Sequence, residues 1–150
     1  MEINPLQQQI AAMKQSLLAE EILDYEFLRL ERLADKDTPN IVEEIFTLYF
    51  SDSPKVIASL EQALEELHFD YATVDRYLHR LKGSSMTIGA NKVAIQTNQA
   101  LECCNKGDME GCKAAVGRIK QEHNTLKNRL QPYFQLIGQA RVAKTADRPK

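Results

Sequence analysis

The chain is expected to fold as an all-α, antiparallel four-helix bundle with an additional N-terminal helix or helices. Three observations carry this expectation. Apolar residues recur at steps of three and four through five segments, the connections between them are short and polar, and no stretch alternates with the period of two of a half-buried strand. No internal repeat or interdomain linker breaks the pattern, so residues 1–140 read as one domain. Residues 141–150 are polar and aperiodic and read as a flexible C-terminal tail.

Asn4-Pro5 supplies an N-cap and a first helical residue, after which Leu6, Ile10, Met13 and Leu17 form the first stripe. A second helix starts near Glu20 or Asp24, carries Phe27, Leu30 and Leu33, and is broken by the short polar side chains of residues 34–38. Asn40 with Glu43 has the spacing of a capping box for a third helix led by Ile41, Ile45, Leu48 and Tyr49. Pro54 is expected to interrupt it, either as a kink or as a restart with Ser53 as cap, before Ile57, Leu60, Leu64 and Leu67 resume the stripe.

Asp70 caps the fourth helix in this reading, with Phe69 and Val74 at hydrophobic-staple spacing, and the helix is expected to run towards Asn105 and end at Gly107. Asp108 then caps a fifth helix. Its seam is Cys112, Val116, Ile119, His123, Leu126, Leu130, Tyr133 and Ile137, and Pro132 is expected to bend or end it.

Within the fourth helix, Leu78, Leu81, Ser85 and Ile88 all fall within about 40° of Val74 on a wheel of about 100° per residue. His79 falls about 140° away, and the same outer face carries Ala72, Gly83, Met86 and Ala90 in place of the usual Lys and Glu. Small or flexible neighbours leave the imidazole standing clear. Lys82 and Gly83 follow His79 by three and four residues, so both are its helical neighbours. A helical glycine costs roughly 1 kcal/mol relative to alanine, and close approach of another molecule is a reason for it. An ammonium one turn away suits an incoming phosphoryl group.

These residues resemble the active-site helix of histidine-containing phosphotransfer (HPt) proteins, particularly those of plants. The family pattern of a His, two variable residues, Lys-Gly-Ser-Ser and a later Ile-Gly-Ala stands here as His79, Lys82-Gly83-Ser84-Ser85 and Ile88-Gly89-Ala90. The similarity runs from about Glu21 to Phe134 and includes Leu48-Tyr49-Phe50-Ser51-Asp52-Ser53 and Glu110-Gly111-Cys112. Arg80 stands where glutamine is usual, and Met86-Thr87 occupy a serine-rich position. His79 is similar to the active members and unlike pseudo-members that carry asparagine there.

The resemblance implies that residues 1–140 are one HPt domain and that the protein is a phosphorelay carrier, not an enzyme in its own right. It implies phosphorylation on His79, phosphate stabilisation by Lys82 and access at Gly83, with Ala72, Arg76, Ser84, Met86 and Ala90 supporting docking. The implied partners are receiver domains of hybrid sensor histidine kinases and of response regulators, whose acidic pocket holds Mg²⁺; no cofactor is expected on this chain. Plant membership further implies cytokinin signalling in cytoplasm and nucleus, and a monomer is expected.

Composition narrows the alternatives. A length of 150 residues, 43% hydrophobic and 27% charged, fits one ordinary globular domain, and a net charge of -2 offers no basic field for nucleic acid. No apolar run approaches the ~20 residues of a membrane span, and the amino terminus lacks a signal-peptide pattern. Cys103, Cys104 and Cys112 are odd in number and two are adjacent, which fits reduced thiols. His123 on the core seam reads as a hydrogen-bonded packing residue. Glu65 and His68 make one Glu-x-x-His, and the second copy that a di-iron bundle needs is missing. Ser85 points to the core, with its hydroxyl placed to bond back to the preceding turn. The glycines from Gly83 to Gly89 do not match a nucleotide-binding loop. Two rival readings are a non-catalytic adaptor that docks receivers and a metal-binding bundle.

Overall fold

The computed structural model describes residues 4–66 and 70–146, with side chains as far as Val142. Six helices follow one another: α1 (Pro5–Ala19), α2 (Tyr25–Glu31), α3 (Ile41–Glu65), α4 (Tyr71–Ile88), α5 (Asn91–Asn105) and α6 (Met109–Ala146). The last four pack in a closed ring, α3 on α4, α4 on α5, α5 on α6 and α6 on α3, while α1 lies on α6 and α2 on α4. This is the expected antiparallel four-helix bundle with N-terminal additions.

Local chemistry sets most of the boundaries. Asn4 caps α1 by accepting from the Leu6 amide, with Pro5 in the first turn, and Asp24 caps α2 by accepting from the Glu26 amide. Asp108 holds the start of α6 through the Gly111 amide at 2.9 Å. The anticipated α6 seam is the core: Cys112, Val116, Ile119, His123, Leu126, Leu130 and Tyr133 are buried, and Ile137 packs against them. Against this seam Phe27, Phe46 and Tyr133 meet edge to face, with Phe27 centroids 5.8 and 6.1 Å from the other two.

Three expectations need correction, on the length of the fourth helix, the C-terminal tail and the Asn40 cap, and at each proline one of the two expected outcomes is excluded. The long fourth helix is two helices, because Gly89 adopts φ +78° and closes α4 with a left-handed cap. A Cβ there would lie 2.5 Å from the Phe27 nitrogen, so the corner admits no other residue without a shift. Pro54 does not restart α3, which is one helix from Ile41 to Glu65. The proline is exposed, on the side of the helix away from buried Val56, Ile57 and Leu60. Pro132 does not end α6, and the segment expected as a flexible tail is helical to Ala146, with Arg141 bound to Glu43 and to the Pro39 carbonyl. Asn40 caps α3 by position only; its side-chain oxygen accepts from Arg141 instead of the helix amides. The proposed staple residue Phe69, together with Leu67 and His68, lies outside the described residues.

His123 is the buried polar residue of the seam. Its Nε2 is 2.7 Å from Ser53 Oγ, which donates to the Tyr49 carbonyl, and the ring packs on Tyr49 and Phe50. Burial pushes its pKa below the ordinary 6.5, and the nearby Lys127 charge acts in the same direction. Below 6.5 the unfolded chain therefore binds more protons than the folded one. The stability contributed by keeping this ring neutral is complete above that pH and is lost as pH falls through the depressed folded value. Urea unfolding midpoints should drop between about pH 7.5 and pH 5.5, and His123→Gln should flatten that drop. An unchanged pH slope in the variant would show that another group governs it.

Candidate functional site

The site is built on α4, and α4 is built to present one face. At its start Asp70 accepts from the Ala72 and Thr73 amides at 3.1 and 3.3 Å and from the Thr73 hydroxyl at 2.7 Å. The Thr73 hydroxyl bond leads in holding the Asp70 carboxyl below its usual range. Val74, Leu78, Leu81, Ser85 and Ile88 are all buried, as the wheel anticipates. Ser85 departs from expectation: its hydroxyl pairs with Tyr49 Oη of α3 at 2.8 Å and not with its own preceding turn. Burial of this pair raises the Tyr49 pKa to about 12, so Tyr49 stays a neutral hydrogen-bonding group.

On the opposite face the His79 side chain is 60% exposed, with Nε2 3.5 Å from Asp75 Oδ1. Gly83 faces open space, since a Cβ built there would meet nothing within 4 Å. Lys82 is half-buried and donates from Nζ to Asn98 Oδ1 of α5 at 3.1 Å, so in this state its ammonium is parked on the neighbouring helix. Arg80 pairs with Asp52 of α3 at 2.5 Å, and Arg76 lies over the Tyr77 ring. The face therefore has an open centre at His79 and Gly83 with the surrounding cations already engaged.

The remaining expected positions divide. Ala72, Arg76 and Met86 are exposed on α4, and Ser84 is half-buried with its hydroxyl donating to the Leu81 carbonyl at 3.2 Å. Ala90 does not join them. It is buried at the α4–α5 corner, where it bridges to Leu23, because Gly89 turns the chain before a further helical turn forms. Sequence reasoning passed over Asp75, Asn98 and the exposed Ile95 of α5. Asp75 was legible as the residue four before His79; Asn98 and Ile95 required knowing that α5 folds back beside α4. Among the described residues no group of three or more metal-binding side chains occurs, and no helix is long and apolar enough to cross a membrane.

The model of the Hpt domain family matches residues 44–129, which span α3, α4, α5 and the first half of α6 and so contain the whole site. The chain belongs to the Hpt domain family. It is 45% identical over 113 residues to histidine-containing phosphotransfer protein 4 of Arabidopsis thaliana, covering 75% of this chain and 89% of that one. It is also 38% identical over 149 residues to pseudo histidine-containing phosphotransfer protein 5 of Oryza sativa subsp. japonica, covering 99% and 98%. Among solved structures, the maize histidine-containing phosphotransfer protein ZmHP2 superposes with a TM-score of 0.85 at 34% identity, covering 90% of this chain and 99% of that one. The Medicago truncatula protein MtHPt2 gives 0.87 at 29% identity, covering 98% of each. Relatives of both the phosphotransfer and the pseudo-phosphotransfer kind therefore surround this Hpt domain, and overall identity does not separate them.

Gly83 offers a direct test of the site's openness. Gly83→Gln should leave thermal stability unchanged or raise it, by up to roughly 1 kcal/mol, since glycine is a poor helix former and nothing opposes the new side chain. Phosphotransfer should nevertheless fall on the order of 100-fold if the side chain holds the reacting atoms ~1 Å further apart. Stability and transfer falling together would instead mark Gly83 as a packing glycine.

Proposed function

We propose that this Hpt domain is a working phosphorelay carrier in which His79 receives a phosphoryl group from a receiver-domain aspartate and passes it to another. The observation that carries the reading is an exposed imidazole on α4 beside an unobstructed glycine, at the centre of the segment that matches the family. Residue 79 is histidine, as in the active members that the α4 segment resembles.

In the proposed transfer, the Nε2 lone pair attacks the phosphorus of the aspartyl phosphate, and the breaking P–O bond returns its electrons to the receiver carboxylate. Such a transfer requires in-line approach and neutralisation of charge on the equatorial oxygens. Exposure of His79 permits the approach. Lys82, one turn away, supplies a cation once it leaves the exposed Asn98, to which a single hydrogen bond holds it. Mg²⁺ held in the receiver's own acidic pocket would meet the remaining charge. The chain thus acts as a carrier and shows transfer only together with receivers. We assign those receivers to hybrid sensor kinases and response regulators of plant cytokinin signalling, with the carrier acting as a monomer in cytoplasm and nucleus.

His79→Gln should abolish phosphate acceptance from a phosphorylated receiver while leaving the unfolding midpoint near wild type, because little packing surrounds the ring. The label on the wild-type protein should be lost in acid and kept in alkali. Continued labelling of the variant would remove His79 from the mechanism, and receiver binding without labelling of either protein would favour an adaptor.

A further inference from the structure

Asp75 is the acid that pairs with His79 among the described residues, and it does so at the atom proposed to attack, with Oδ1 3.5 Å from Nε2. The two residues are four apart on one helix, so docking of a partner can turn the side chains but cannot carry them beyond helical neighbours. The cations of the same face are otherwise engaged: Arg80 with Asp52, Lys82 with Asn98, and Arg76 over Tyr77. None of these contacts neutralises the Asp75 carboxylate.

We infer that Asp75 sets the poise of the relay by disfavouring the phosphorylated form of His79, so that phosphate leaves this carrier readily. The inference rests on the reading of His79 as the acceptor. After transfer, the phosphoryl group bonded to Nε2 adds negative charge beside the Asp75 carboxylate, four residues away on the same helix. That repulsion shifts the exchange between aspartyl phosphate and phosphohistidine towards the receiver. Unit charges about 4 Å apart in water interact strongly enough for a change of about fivefold in that equilibrium, and salt screens it because both groups are exposed.

The test uses the full chain as wild type, Asp75→Asn, Asp75→Ala and His79→Gln, each equilibrated with a receiver domain phosphorylated by acetyl phosphate in the presence of Mg²⁺ and then freed of the donor. The partition of label between receiver and carrier is measured at low and high salt. Asp75→Asn and Asp75→Ala should both move the partition towards the carrier, by about fivefold at low salt, and the gain should shrink as salt rises. Equal partition in wild type and both variants at low salt, or a gain indifferent to salt, would overturn the role of Asp75 while leaving His79 in place. Equal labelling of His79→Gln and wild type, or no labelling of wild type, would overturn the acceptor assignment and this inference with it. Matching thermal unfolding curves for wild type and Asp75→Asn separate the charge effect from a change in fold.

Discussion

The architecture depends on the backbone at Gly89. A left-handed residue there ends α4, sends α5 back along it, and brings the loop before α2 into contact. The Asp24 amide donates to the Gly89 carbonyl at 3.0 Å, and the Asn91 amide donates to the Ile22 carbonyl at 3.2 Å. With the Phe27 nitrogen only 2.5 Å from where a Cβ would stand, the position tolerates glycine both for its dihedral and for the space beside it. If α4 had continued past this point, α5 could not lie beside it to hold Lys82 through Asn98.

Beneath the exposed face, buried polar contacts fix α4 against the rest of the bundle. Ser85 of α4 meets Tyr49 of α3, and Ser53 of α3 meets both the Tyr49 carbonyl and His123 of α6. Each such bond contributes about 1 kcal/mol net, but leaving one partner unsatisfied costs roughly 1–3 kcal/mol. That asymmetry penalises a rotated or slipped α4 more than the bonds stabilise the correct one. A helix anchored on its inner side in this way can present small and open positions outward without losing its place.

Much of this was legible in the sequence. The steps of three and four located the buried stripe of α4 and the seam of α6 residue by residue, because burial on one helix face is what that period encodes. Gly89 escaped the same reading, since positive φ leaves no mark on hydrophobic periodicity and Ile88 and Ala90 are both apolar. Misplacing the corner put Ala90 on the outer face and hid Asn98. At the prolines the break is the alternative that the structure excludes. Propensity forbids Pro54 in a free helix, yet tertiary packing of Val56, Ile57 and Leu60 carries α3 through it. Ser85 was placed on the correct side but given a local partner, because Tyr49 is distant in sequence and only the assembled bundle brings the two hydroxyls together.

Membership of the Hpt domain family fixes the scaffold, and relatives of both kinds share it at comparable identity. What sets a carrier apart on such a scaffold is one reactive nitrogen with room around it. The most direct measurement is the location of phosphate on the intact chain. After incubation with a phosphorylated receiver, tandem mass spectrometry at alkaline pH should find one phosphoramidate, on the peptide containing His79. Phosphate on His68, His123 or a hydroxyl, or none at all, would contradict the reading.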